Sequence, residues 1–303
     1  MRSAVDLDWV FNIPAPAKGW ILDAICREIG ARVKGVVTYA YNSKVDLPKA
    51  DVYFFAHYWN YLDRLRSQPE IVKSKILIWY THPREIPYSI KDQLRGYSKA
   101  TRVVFTNNLF MTEWLKYGLP VDKACVVLGG ADPQVFKWHE RTGRTVGLSS
   151  SYYPRKGADR IHALIKSMPH RRFCLLGRKW VEYPDFHQLT ELSNFEYHES
   201  DYSKYPSFYN KFDVFLSMST LEGGPIPVLE AMMSNVVPVA SRTGFARDLI
   251  RDGENGYTFD VDAPLEQVKE LIEQAYLLNA DVRETVLKYS WDFFAYEIIS
   301  QAD

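Results

Sequence analysis

Short apolar runs alternate with segments of helical period nearly from end to end, and this pattern constrains the chain more than any other feature. Val5–Phe11, Val33–Tyr39, Asp51–His57, Lys75–His82 and Arg102–Thr106 read as strands. Several are continuously apolar, as strands covered on both faces are. Between them, Trp20–Ile29 places apolar residues at 20, 21, 24, 25 and 29, and Asn108–Tyr117 at 109, 110, 114 and 115. Those spacings mark one face of a helix. A second series follows the polar stretch Lys137–Arg144, with strands at Thr145–Ser149, Phe173–Leu176, Asp213–Ser217 and Val236–Ala240. Its helices lie near Asp159–Ser167, Val228–Met233 and Leu265–Leu277, and a last helix is expected at Trp291–Ser300. Strands alternating with helices imply parallel sheets joined by crossovers, the doubly wound α/β class. At 303 residues the chain exceeds what one core usually supports, so two domains are expected, dividing near 137–144.

Charge and cysteine usage exclude several functions. Lys+Arg and Asp+Glu both total 37, which removes the broad basic field that recruits nucleic acid or an anionic membrane. Hydrophobic residues make up 47%, ample for packed cores and unlike a disordered chain. Cys26, Cys125 and Cys174 are widely spaced in apolar runs and read as reduced core residues. The N-terminus carries acids where a signal peptide needs an apolar stretch, and no run approaches the ~18 apolar residues of a membrane span. A cytoplasmic protein is expected.

In open parallel sheets ligands bind outside the carboxyl ends of the strands. The stretch STLEGGPIPVLEAMMSNVVPVA, Ser219–Ala240, lies just after the expected strand Asp213–Ser217 and leads into the helix near Val228, with Asn235 as a left-handed terminator. Gly223 and Gly224 allow close backbone approach to a ligand. The two prolines suit a helix start, where open N–H groups would receive phosphate. An ionised carboxylate only accepts hydrogen bonds, so the natural partners of Glu222 and Glu230 are hydroxyls. A ligand with sugar hydroxyls on both sides of a phosphate group fits, which describes a nucleotide sugar. On spacing alone, a solvated loop carboxylate and a polar helix face account for the pair equally well.

Metal signals are weak. Asp6/Asp8 and Asp260/Asp262 form D-x-D pairs, a pattern that some enzymes use to hold Mg²⁺, but strand polarity and helix capping explain them. The seven histidines show no H-x3-H pair or Cys/His cluster in the sequence. No metal and no cofactor are expected.

EGGPIPVLEAMMSNVVPVA at 222–240 is similar to the EGFGLPxLEAMACGxPVV element of the retaining glycosyltransferases of family 4. TGFARDLIRDGENGYTFD at 243–260 continues the likeness. RVVFTNNLFMTEWLKYGLPVDKACVVLGGADPQVF at 102–136 resembles the family's segment ending in IPNGVDxxxF, and YYPRKGADR at 152–160 its PxKG element. The resemblance spans roughly residues 100–300. It implies the GT-B fold, two facing Rossmann-like domains with a cleft between them, and transfer of a hexose from a UDP- or GDP-sugar to an acceptor hydroxyl with retention. It further implies that Glu222 grips donor-sugar hydroxyls, Glu230 the ribose, and Lys156 the pyrophosphate, with Gly223, Gly224 and Ile226 lining the donor site. Arg155 either helps Lys156 or faces solvent. Many members carry an Arg where this chain has Ser151; either Arg155, Arg178 or Lys179 substitutes for it, or donor turnover is weaker than the family norm. His82 matches a family histidine that contacts the transferred sugar, while His57 ends the neighbouring strand and is the weaker candidate. The family's Gly-rich loop is reduced to PAPAKGWILDAI at 14–25, in which Gly19, assisted by Lys18, could admit a phosphate or the acceptor. Tyr197 is either a wall of the base pocket or a half-buried strand tyrosine. LKYSWDFFAYEIISQAD at 287–303 resembles the closing helix that returns to the first domain.

The implied partners are the nucleotide-sugar donor and a sugar, glycan or glycolipid acceptor; peripheral membrane contact is left open. A nucleotide-sugar epimerase and a non-catalytic nucleotide-sugar binding module are the alternative readings.

Overall fold

A computed structural model describes residues 6–41, 45–84 and 86–302. Val5, at the head of the expected first strand, and Asp303, the last residue of the closing segment, lie outside the described residues. The chain divides into two compact units, Met1–Leu128 with Trp291–Asp303, and Gly129–Ser290. The division falls ahead of the polar stretch 137–144.

In the first unit the elements run β1 (Trp9–Asn12), α1 (Ile21–Gly30), β2 (Val37–Ala40), β3 (Val52–Phe55), α2 (Tyr58–Ser67), β4 (Lys75–Tyr80), α3 (Ile90–Tyr97), β5 (Arg102–Phe105), α4 (Asn108–Lys116) and β6 (Ala124–Val126). The six strands form one sheet in the order β2-β1-β3-β4-β5-β6, and every pairing is parallel. β1 and β3 are buried along their whole length, which is why they read as unbroken apolar runs. Helix starts are set by side chains: Ser89 accepts from the Asp92 N–H at 3.1 Å and Asn107 from the Phe110 N–H at 3.0 Å, satisfying donors the helix itself leaves open.

The second unit runs β7 (Thr145–Ser149), α5 (Ala158–Ser167), β8 (Arg172–Leu176), α6 (Phe186–Thr190), β9 (Phe195–His198), α7 (Tyr205–Tyr209), β10 (Val214–Ser217), α8 (Ile226–Met233), β11 (Val237–Ser241), α9 (Ala246–Leu249), β12 (Tyr257–Phe259) and α10 (Leu265–Leu277). Its sheet has the order β12-β11-β10-β7-β8-β9, again all parallel. Asp213, buried just before β10, accepts from four successive backbone N–H groups, Thr142 to Thr145, and so fixes where β7 begins. Phe136 is buried in this unit against Tyr209, with ring centroids 5.3 Å apart. The segment after Leu128 therefore belongs to the second core. Asn235 closes α8 with φ of 66°.

The last helix, α11 (Trp291–Ser300), returns to the first unit. Phe294 and Ile298 are fully buried in that core with Phe54, Leu77 and Trp79, and Arg32 bonds Asp292 at 2.6 Å. Cys26, Cys125 and Cys174 are free thiols.

Candidate functional site

The sheet order of the second unit reverses between β7 and β10, so the loops leaving these two strands diverge and open a crevice at their carboxyl ends. After β7 come Ser151, Tyr152 and Tyr153, then a 3-10 turn over Pro154–Lys156 and Gly157, whose φ is 73°. A Cβ at Gly157 would stand 2.6 Å from the Met218 carbonyl oxygen of the other loop, so only glycine permits this approach. The Thr220 N–H donates to the Arg155 carbonyl at 2.8 Å, and the Ser241 hydroxyl to the Ser219 carbonyl at 2.6 Å. The two loops are thereby tied to each other and to β11.

Glu222 sits where these loops meet and is 7% exposed. Lys156 Nζ bonds one carboxylate oxygen; Arg155 bonds the other at 3.1 Å and the Leu221 carbonyl at 2.8 Å. Burial pushes the Glu222 carboxyl up, but the Lys156 ammonium and Arg155 guanidinium outweigh it and hold it below the usual carboxylate range. Arg155 therefore turns inward to the carboxylate. A buried carboxylate thus gathers two cations at the switch point.

Glu230, on α8, is 2% exposed. Its Oε1 accepts from the Tyr202 hydroxyl at 2.5 Å and its Oε2 from the Tyr209 hydroxyl at 2.8 Å. With no cation against it among the described residues, burial outweighs both phenols and pushes its carboxyl up to about 7. The two phenols differ in setting: Tyr209 is fully buried, whereas Tyr202 is 52% exposed on the turn after β9. Sequence reasoning missed both tyrosines. They lie 28 and 21 residues before Glu230, and nothing in DYSKYPSFYN marks them as carboxylate partners.

The first sheet reverses between β1 and β3. Asn12, 3% exposed at the end of β1, accepts from Asn60 Nδ2 at 3.2 Å. His57 follows β3, is 4% exposed, and its Nδ1 accepts from the Trp59 N–H at 3.1 Å, capping α2. Burial, with Arg84 and His82 adding to it, lowers this imidazole to about 3. It is therefore neutral with its proton on Nε2, and that nitrogen is buried without a partner among the described residues. His82 Nε2 accepts from Arg84 Nε at 3.3 Å, and the His82 carbonyl from the Tyr58 hydroxyl at 3.4 Å.

A model of the family described as glycosyl transferases group 1 matches residues 134–289, just over half of the chain and nearly all of the second unit. The chain belongs to the glycosyl transferases group 1 family. A glycosyltransferase from Rickettsia africae superposes with a TM-score of 0.78 at 15% identity, covering 98% of both chains. Anabaena HepE, solved with UDP and glucose, gives 0.76 at 14%, covering 97% of this chain and 98% of its own. Sucrose-phosphate synthase from Thermosynechococcus elongatus gives 0.77 at 12%, covering 97% of each. The two-unit α/β fold of this chain is that of the GT-B glycosyltransferases. No match to a curated protein was found by sequence.

Several of the residues singled out in this group 1 glycosyltransferase also make structural contacts. A Cβ at Gly224 would stand 2.7 Å from the Phe245 ring, so that glycine accommodates a core aromatic. The start of α8 offers fewer open donors than expected: Ile226 N–H bonds the Gly224 carbonyl and Val228 N–H the Pro225 carbonyl, both within 2.9 Å, and Pro227 has none. The Ile226 side chain packs where a Gly129 Cβ would lie. Gly223 is buried, and Ser151 is half-buried beyond β7. Tyr197, on β9, donates to the Gly177 carbonyl at 3.1 Å and sets its ring 5.1 Å from Phe186. Lys179 has a φ of 65° and lies 3.9 Å from Glu182.

In the first unit, the Gly19 N–H donates to the Asp23 carboxylate at 2.7 Å, so that amide is engaged and faces a negative charge. Asp8 accepts from the Val36 N–H at 3.0 Å. In the second unit, Asp260 pairs with Arg242 at 3.1 Å; α10 starts at Leu265 with Pro264 at its N-cap and no side-chain cap, so capping does not explain the second D-x-D pair. The sequence shows no Cys/His cluster, yet the pairing of β8 with β9 assembles one from Cys174, Glu196 and His198.

Proposed function

We propose that this glycosyltransferase moves a hexose from a UDP- or GDP-hexose to a hydroxyl of a sugar, glycan or glycolipid acceptor, with retention and without a metal ion. One observation carries the reading: at the switch point of the second unit, Lys156 and Arg155 converge on the buried carboxylate of Glu222, with Glu230 one helix turn into α8. The pair of cations suits the diphosphate of a departing nucleotide, whose charge grows as the glycosidic bond breaks. Arg155 takes the place of the cation that Ser151 lacks.

Glu222 then accepts from donor-sugar hydroxyls, and Glu230 from the ribose once the Tyr202 hydroxyl has moved off Oε1. Tyr209 stays on Oε2 throughout. Tyr197 walls the base. In the first unit, the neutral His57 serves as a hydrogen-bond donor to an acceptor oxygen once its Nε2, buried in this structure, is uncovered. It is a poor general base, because Nδ1 is committed to the Trp59 N–H. The acceptor proton passes instead to the leaving phosphate oxygen as attack occurs on the same face of the sugar. That HepE has been crystallised with UDP-glucose supports a uridine donor.

The test is incubation with UDP- and GDP-hexoses and candidate acceptor sugars, followed by NMR of the anomeric proton. A product with retained configuration, with turnover lost in Glu222→Gln more than nucleotide binding, supports the reading. Inversion, or neither transfer nor hydrolysis with any donor that binds, overturns it.

A further inference from the structure

We propose that Cys174, Glu196 and His198 form a binding site for one Zn²⁺ ion at the edge of the second sheet, separate from the residues assigned to the nucleotide sugar. The register of the parallel pair β8–β9 sets Cys174 opposite Glu196 and Leu176 opposite His198. Residues two apart on a strand share a face, so the thiol, the carboxylate and the imidazole project from the same side. Their ligand atoms all lie within 4.8 Å of one another, and His198 Nε2 is 3.5 Å from Glu196 Oε2. A tetrahedral Zn²⁺ with bonds of ~2.0–2.3 Å holds its ligand atoms roughly 3.3–3.8 Å apart. Small rotations of Glu196 and His198, whose side chains are 59% and 39% exposed, close that gap.

The division of labour suits a cation arriving from solvent. β9 is the edge strand, so its two ligands are reached from outside. Cys174, 5% exposed on the adjacent strand β8, is the fixed ligand. Thiolate and carboxylate together carry the two negative charges that balance a dication, and the thiol proton is released to solvent as the metal binds. A thiolate with an imidazole selects Zn²⁺ over Mg²⁺ and Ca²⁺, which prefer all-oxygen sites. Two cations oppose the metal: Arg172 lies 3.9 Å from Glu196, and the Lys211 ammonium bears on the Cys174 thiol. Both are exposed, so both can turn into solvent. The fourth coordination position is left to water.

The experiment is titration of the full chain with Zn²⁺ by calorimetry and with Co²⁺ by absorption spectroscopy, beside Cys174→Ser and His198→Gln. One equivalent of Zn²⁺, a thiolate-to-Co²⁺ charge-transfer band, loss of that band in Cys174→Ser and at least ~10-fold weaker binding in His198→Gln are expected. His198→Gln alters only a part-exposed side chain, so it remains informative if Cys174→Ser folds poorly. Absence of the thiolate band, or Zn²⁺ affinity unchanged in His198→Gln, overturns the site. The latter result would assign any binding to surface pairs such as His187–Glu191 or His170–Glu273.

Discussion

Glu230→Gln should change how the stability of this protein depends on pH. Burial raises the Glu230 carboxyl to about 7 from an ordinary 4.5. Between those values the folded chain keeps a proton that the unfolded chain releases. The protonated carboxyl's contribution is therefore fully present below pH ~4.5 and is lost as the pH rises through ~7. At ~1.4 kcal/mol per pH unit this amounts to about 3 kcal/mol. Glutamine keeps the shape: its amide oxygen can accept from Tyr209 and its NH₂ can donate to the Tyr202 oxygen, but it does not titrate. Urea unfolding of parent and variant from pH 4 to pH 9 measures the difference, in which all other titrating groups cancel. The variant should gain up to about 3 kcal/mol relative to the parent between pH 4 and pH 8. Parallel curves would refute the claim that this carboxylate is buried without a compensating cation.

Lys156→Ala leaves Glu222 buried with Arg155 as its remaining cation and a Ser219 hydrogen bond, so the cost should be up to about 3 kcal/mol, less than for a buried charge left with no partner. Urea unfolding should show that loss at pH 7, and nucleotide affinity measured by calorimetry should fall with it. Tyr202→Phe frees Oε1 of Glu230 without touching Tyr209, so a nucleoside diphosphate should bind more tightly in calorimetry; weaker binding would mean that the Tyr202 hydroxyl stays engaged with the ligand. Ending the chain at Tyr289 removes Phe294 and Ile298 from the first core. At ~1.5–3 kcal/mol for each buried side chain, the first unit should lose about 3–6 kcal/mol, read as a lower melting temperature.

Legibility in the sequence followed burial. β1, β3 and β4 are covered on both faces and announce themselves as apolar runs. The strands β6, β9 and β12 are about as short as β1 and β3 but only partly buried, so neither a long apolar run nor a period of two marks them. Helix α2 was hidden because Leu62 is the one aliphatic it buries, beside Tyr58, Tyr61 and even Arg64. At the site, Glu222, Glu230 and Lys156 were legible because a local motif carries them. Arg155 was legible only as a choice between helping Lys156 and facing solvent, because its ion pair spans 67 residues of chain; the tyrosines on Glu230 were not legible, being set there by packing between α7, the turn after β9 and α8. The Cys174–Glu196–His198 cluster was invisible for the same reason: it exists only through the strand register.

A crystal structure with an unreactive UDP-hexose analogue bound tests the donor site most directly. Donor-sugar hydroxyls should lie about 3 Å from the Glu222 carboxylate, the ribose diol on Glu230 with the Tyr202 hydroxyl displaced, and phosphate oxygens against Lys156 and Arg155. A nucleotide sugar bound away from the β7–β10 switch point, with Glu222 still closed on both cations and Tyr202 still on Glu230, would contradict this placement.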